Sequence, residues 1–189
     1  MAKFWKDGKA DPKRKFRFLV SMGAAEALDI QWWAKTVTLP EFEISEIEHD
    51  FLDNKYYYPG RVTWNEVTVT LIDPGAPDMV SKTLKMLSDS GYAIKDKTDL
   101  NAPSMITKGK SIDTGLGSLV IEVIDAVGTK VETWTLNNPW IKTVKYGEMD
   151  YSSDDIRTIE MTVRYDWAEC AFNKPADEPS AQPEDFDPT

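Results

Sequence analysis

Alternation of apolar and polar residues is the strongest pattern in this chain. Apolar Ile159, Met161, Val163, Tyr165 and Trp167 interleave with Thr158, Glu160, Thr162, Arg164 and Asp166. A period of two puts one set on a packed face and the other toward water, so 156–167 reads as a long half-buried strand. Residues 62–72 form a second clear strand, with Val62 and Trp64 followed by Val67, Val69 and Leu71. Its phase slips at Asn65–Glu66, the signature of a β-bulge. Residues 30–39, rich in aromatic and β-branched side chains, read as a strand that stops at Pro40. Residues 16–20 are a short apolar run, and Phe42, Ile44 and Ile47 alternate loosely with acids. Segments 118–126 and 129–136 flank Val127-Gly128 as a hairpin, and 140–146 pairs with 156–167 around the loop YGEMDYSSDD.

One stretch has helical period. Met79, Val80, Thr83, Leu84 and Leu87 recur at spacings of three to four, with Pro77 and Asp78 at the start and Gly91 past the end. Residues 95–117 are polar, contain glycine and show no period, which predicts a long loop. The fold class expected is mainly β, a barrel or sandwich with one flanking α-helix.

Charge divides the chain into three. Its 189 residues carry a formal −10. Residues 1–17 hold a net +5, from Lys3, Lys6, Lys9, Lys13, Arg14, Lys15 and Arg17 against Asp7 and Asp11. Residues 174–189 hold −4 with four prolines, which leaves the body at −11. The expected organisation is a basic N-terminal arm at 1–15, a β-domain at 16–172 and an acidic, proline-rich tail at 173–189. Either the arms are solvated, or their opposite signs reach neighbouring subunits. An acidic body argues against gripping nucleic acid or an anionic membrane with the whole surface. The N-terminus has basic residues without an apolar core, so no secretory signal is expected, and no apolar run suffices to span a bilayer.

Catalytic chemistry is scarce. One cysteine, Cys170, and one histidine, His49, cannot build a zinc site or an internal disulfide. His49 lies among acids, Cys170 follows a strand-ending tryptophan, and Gly115-Leu116-Gly117 lacks the preceding strand of a nucleotide-binding turn. The expectation is a protein that is not an enzyme and has no cofactor. Seven each of Trp, Tyr and Phe raise the alternative of a stacking surface or a small-ligand barrel. Stacking platforms pair with basic grooves, which the acidic body opposes.

Three stretches together resemble the tail tube proteins of contractile-tailed bacteriophages: WWAKTVTLPEFEISEIEHDFLDNKYYYPG, PGRVTWNEVTVTLID and LNNPWIKTVKYGEMDYSSDDIRTIEMTVRYDW. Their order and spacing across 30–168 carry the resemblance, since none is a catalytic signature. Type VI secretion tube proteins look similar in fold. The resemblance implies a tail-tube-like β-barrel that assembles into homo-hexameric rings, stacked into a tube within a sheath. Implied partners are the sheath protein, the tape-measure protein and transiting DNA in the lumen, and the baseplate, with no membrane anchoring. The implied location is the tail of a virion assembled in the host cytoplasm.

Ring stacking in that family uses an extended loop, which corresponds here to 48–58. Phe51, Leu52, Tyr56 and Tyr57 are therefore the expected stacking residues, because exposed apolar side chains on a loop need a partner. The polar strand positions Thr68, Thr70, Thr158, Glu160 and Thr162 are expected to face the lumen, where a surplus of negative charge would keep DNA from adhering. A specialised tube-end or baseplate ring of the same fold is the nearest alternative, and a monomeric ligand-binding barrel is the more distant one.

Overall fold

Residues 13–22, 33–92 and 105–173 are described by the computed structural model of the chain. The arm to residue 12, the start of the 30–39 strand, the 95–104 part of the predicted loop and the tail from 174 lie outside the described residues.

Two antiparallel four-stranded sheets form the body. One has the order β1 (Phe18–Met22), β6 (Leu119–Ile124), β7 (Lys130–Asn137) and β10 (Trp167–Phe172). The other has the order β2 (Ala34–Val37), β5 (Val67–Ile72), β9 (Thr158–Arg164) and β8 (Trp140–Lys145). A third, two-stranded sheet pairs β3 (Phe42–Phe51) with β4 (Asn54–Trp64). The mainly β architecture expected from the alternation is present, as two layers with separate sheet edges.

Alternation explains the core. Val67, Val69 and Leu71 of β5 and Ile159, Met161 and Val163 of β9 are fully or almost fully buried, and Val20, Leu119, Ile121 and Leu136 face them from the other sheet. Burying each such side chain contributes about 1.5–3 kcal/mol. The buried side chains of the two sheets thereby form one contiguous cluster.

Two strands predicted as continuous are broken. Residues 62–72 divide into β4, ending at Trp64, and β5, beginning at Val67. The phase slip at Asn65–Glu66 is thus a step from one sheet to another, held where Asn65 N–H donates to the Glu41 carbonyl at 2.8 Å. The 156–167 alternation likewise crosses a corner at Tyr165–Asp166. Tyr165 is buried, but Trp167 is 43% exposed and begins β10 in the opposite sheet. A two-residue corner preserves the period of two, so sequence alone reads straight through it.

Helix α1 (Met79–Asp89) occupies the periodic segment. Asp78 caps it, its carboxylate accepting from Val80 N–H at 3.0 Å and Ser81 N–H at 3.3 Å. Met79, Thr83 and Met86 are its buried face. Gly91 ends it at φ +105, where a Cβ would lie 2.6 Å from the Met105 carbonyl oxygen. A second helix, α2 (Lys108–Asp113), falls in the segment read as loop, because it is short, polar and buries only Ser111. It is tied to the body where Ser111 Oγ donates to the Pro139 carbonyl at 3.1 Å.

Candidate assembly surfaces

The segment expected as a stacking loop is instead most of a hairpin that stands away from the body. Every residue of β3 is exposed, as are nine of the eleven in β4, Gly60 and Trp64 being the exceptions. Its root is an aromatic chain, Phe42 to Trp64 at 5.2 Å between ring centroids and Trp64 to Tyr165 at 6.0 Å, which fixes the hairpin to the core. Midway, the register shifts between Ile44 and Glu46. Gly60 is required there, since a Cβ would meet Ser45 Oγ at 2.3 Å and the Ser45 carbonyl oxygen at 2.8 Å. Arg61 N–H donates to the same Ser45 Oγ at 2.8 Å.

Beyond the bulge the two faces differ. Cross-strand partners share a face, so Ile47 with Tyr58, His49 with Tyr56 and Phe51 with Asn54 make one side. Glu46 with Pro59, Glu48 with Tyr57 and Asp50 with Lys55 make the other. Of the expected stacking residues, Phe51 and Tyr56 come together, whereas Tyr57 lies on the acidic side beside Glu48. Ile47, 58% exposed, and Tyr58, 55% exposed, complete the apolar side and were not among the expected anchors. Alternation counted outward from the turn is the signal that finds them. Leu52 forms the tip with φ +54 and is 87% exposed. A bulky side chain in the left-handed region, held in water, is costly twice over.

The second surface is the outer face of the β2-β5-β9-β8 sheet. Thr68 pairs with Thr162, Thr70 with Glu160 and Ile72 with Thr158, so the five residues expected to face a lumen do share one face. The register extends it: Thr36 lies beside Thr70, Thr143 beside Thr162 and Lys145 beside Glu160. Thr38 joins through its Oγ, which accepts from Thr68 N–H at 2.8 Å. The face is a threonine platform with charges at its rim.

Those charges are balanced. Glu160 pairs with Lys145 at 2.6 Å, and Glu66 pairs with Lys142 and, at 3.7 Å, with Arg164. The expected surplus of negative charge is therefore absent from this face. It lies on the hairpin, where Glu41, Glu43, Glu46, Glu48, Asp50 and Asp53 outnumber Lys55 and Arg61, and in the β8–β9 loop with Glu148, Asp150, Asp154 and Asp155.

Reactive groups do not converge. His49 is exposed on the hairpin. Burial, with the nearby Glu132 carboxylate, pushes the Cys170 thiol up, away from the nucleophilic thiolate. Among the described residues no three His, Cys, Asp or Glu side chains cluster as a metal site. Asp166 is held below the usual carboxylate range by the Lys108 ammonium and then by Asn138, whose amide donates at 2.8 Å. That contact joins α2 to the β9–β10 corner and is structural.

No protein-family model matches the chain, and no curated protein sequence matches it. Solved structures do. The sheath–tube complex of an extracellular contractile injection system, PVC, in its extended state contains a chain similar at TM-score 0.60 and 18% identity, covering 92% of this chain and 100% of that one. The tube-terminating cap of the anti-feeding prophage contains another at TM-score 0.62 and 17% identity, with 92% and 100% covered. The anti-feeding prophage baseplate holds a third at TM-score 0.57 and 14% identity, with 86% and 97% covered. The chain has the fold of the tube proteins of contractile injection systems.

Proposed function

We propose that this chain is the repeating ring subunit of the inner tube of a contractile tail, six copies to a ring, with rings stacked through the β3–β4 hairpin. The observation that carries the reading is the hairpin itself. Beyond the bulge it leaves a tyrosine-rich apolar side, a strained Leu52 tip and about 20 Å of strand exposed. An apolar surface of that kind marks an assembly interface. Ile47, Phe51, Tyr56 and Tyr58 are its anchors, with Leu52 at the tip and Tyr57 contributing from the acidic side.

The threonine platform of Thr68, Thr70, Thr158, Glu160 and Thr162 lines the channel. Hydroxyls and self-neutralised ion pairs make it a wettable wall without a strong field, suited to letting a polymer slide rather than hold it. In a phage tail that polymer is DNA, behind a tape-measure protein. The sheath surrounds the tube, the baseplate seeds it, and the tail of the virion is its location. A terminal ring is the second reading, favoured by the comparable similarity to a tube-terminating cap.

Sedimentation and negative-stain electron microscopy of the purified protein test the reading. Hollow six-fold rings or tubes are expected for the unaltered chain, and for the Phe51→Ala, Ile47→Ser double variant a folded protein that fails to stack. Tubes that form undiminished from that variant would remove the hairpin from the stacking interface.

A further inference from the structure

β1 and β2 are edge strands of different sheets and touch without pairing as a ladder. Between them opens a groove of about 930 Å³. Its floor is apolar, with Phe18, Val37, Leu39, Ile121 and Val123. Its rim is basic: Lys13, Arg14, Lys15, Arg17 and Lys35 line it, and Glu132, paired with Lys13, is the acid among the lining residues. In a protein with a formal −10 this is a concentrated patch of the minority sign. The stacking hairpin contributes no residue to its described lining, and the threonine platform contributes Thr36.

We infer that the groove is the docking site for the chain's own acidic tail, residues 174–189, folded back within the same subunit. Three observations meet here. The described chain leaves the body beside the groove, because Phe172 is the cross-strand partner of Glu132 and Asn173 N–H donates to the Val131 carbonyl at 2.9 Å. Cross-strand partners are about 5 Å apart, so the tail starts next to the lining residue Glu132, from the edge of the sheet opposite β1. Its sixteen residues extend at most about 50 Å, ample for crossing the groove from that point.

The chemistry matches as well. The tail carries Asp177, Glu178, Glu184, Asp185 and Asp187 against Lys174, complementary to the rim. Phe186 is flanked on both sides by acids, in the order Glu184-Asp185-Phe186-Asp187. One aromatic anchor for the apolar floor, bracketed by carboxylates for the basic rim, is what this groove accommodates. The four prolines limit the conformations the tail loses on docking and prevent it from zipping onto β1 or β2 as a full extra strand. Docked so, the tail sets its carboxylates against the basic rim.

A photo-crosslinking side chain (benzophenone) in place of Phe186 in the full chain tests this. Irradiation followed by peptide mapping is expected to give crosslinks within one chain, to residues 13–18, 34–39 or 121–123. The Lys15→Glu, Lys35→Glu variant, with both changes on the rim, is expected to lose most of that crosslink while its thermal melting is unchanged. High salt is expected to weaken the crosslink in the unaltered rim. Mixing isotope-labelled and unlabelled chains separates the alternatives. Crosslinks between chains would mean that a second copy's tail fills the groove, and would overturn the inference. Crosslinks to residues 1–12, to the β3–β4 hairpin or to the β8–β9 loop would overturn it too, as would a crosslink indifferent to the rim charges.

Discussion

The β5–β9 pair and the β3–β4 pair are both antiparallel, both alternate apolar with polar residues, and meet opposite fates. In β5–β9 the apolar residues Val67, Val69, Leu71, Ile159, Met161 and Val163 are almost wholly buried, and their polar partners share one outer face. In β3–β4, Phe42, Ile44, Ile47, Phe51, Tyr56 and Tyr58 remain exposed. The difference lies in tertiary neighbours. β5 and β9 have a second sheet beneath them, whereas the hairpin is anchored to the body at its Phe42–Trp64–Tyr165 root and is exposed beyond it. Alternation therefore specifies that a face must be covered, and not by what. One apolar β-surface is thus covered by the rest of the chain, and the other is left exposed.

The largest expected effect is on the covered half. Leu119→Ala or Met161→Ala, both fully buried, should cost about 2–5 kcal/mol in denaturant unfolding. On the hairpin, Ile47→Ser with Phe51→Ala should change unfolding free energy by only about 0.5 kcal/mol, because these side chains are already in water. The same double variant should abolish ring stacking. Equal destabilisation in both regions would erase the contrast.

Leu52→Gly sharpens the comparison in a different direction. Glycine relieves the φ +54 strain at the tip, so hairpin stability should rise by about 1 kcal/mol in hydrogen exchange at Phe51 and Asn54, while assembly weakens. A loss of hairpin protection would mean that Leu52 acts within its own subunit. On the channel face, Glu160→Lys breaks the pair with Lys145 and sets two ammonium groups side by side. The cost to folding should stay below about 1 kcal/mol because the pair is exposed, and tubes should still form. Their net charge then rises at the wall, and passage of a polyanion should slow.

The smallest effect is a pH effect in the body. The Asp166 carboxylate titrates below its unfolded value because of Lys108 and Asn138. It therefore contributes stability above the unfolded pKa of about 4 and loses it as pH falls through the folded value. Asp166→Asn should lower the melting temperature slightly at neutral pH, and the gap should narrow as pH falls below about 4. A gap of constant size from neutral pH down through the acid range would assign the loss to geometry rather than charge.

These contrasts also account for what could be read in advance. That Thr68, Thr70, Thr158, Glu160 and Thr162 share one face was legible because they lie in strands whose other face is uniformly apolar. The Lys145 and Lys142 partners that neutralise Glu160 and Glu66 were not, since ion pairing across strands depends on register, and the β8 register slips between Ile141 and Thr143. The outer part of the hairpin, 48–58, was expected as a loop from the resemblance, and its acids dilute the apolar series that would have marked it as strand. In the structure Gly60 marks a bulge between its two halves. Helix α2 escaped because six polar residues carry no period. Breaks at Asn65–Glu66 and Tyr165–Asp166 were blurred for the reason that two-residue steps keep or merely slip the alternation.

The central claim is that the uncovered hairpin stacks rings while the threonine face lines their channel. Cryo-electron microscopy of the assembled full chain tests both at once. The account predicts stacked six-fold rings with Ile47, Phe51 and Tyr58 seated against an adjacent ring, and with Thr68, Thr70 and Glu160 facing the axis. A map in which the hairpin points into solvent, or in which that threonine face is turned away from the channel, would contradict it.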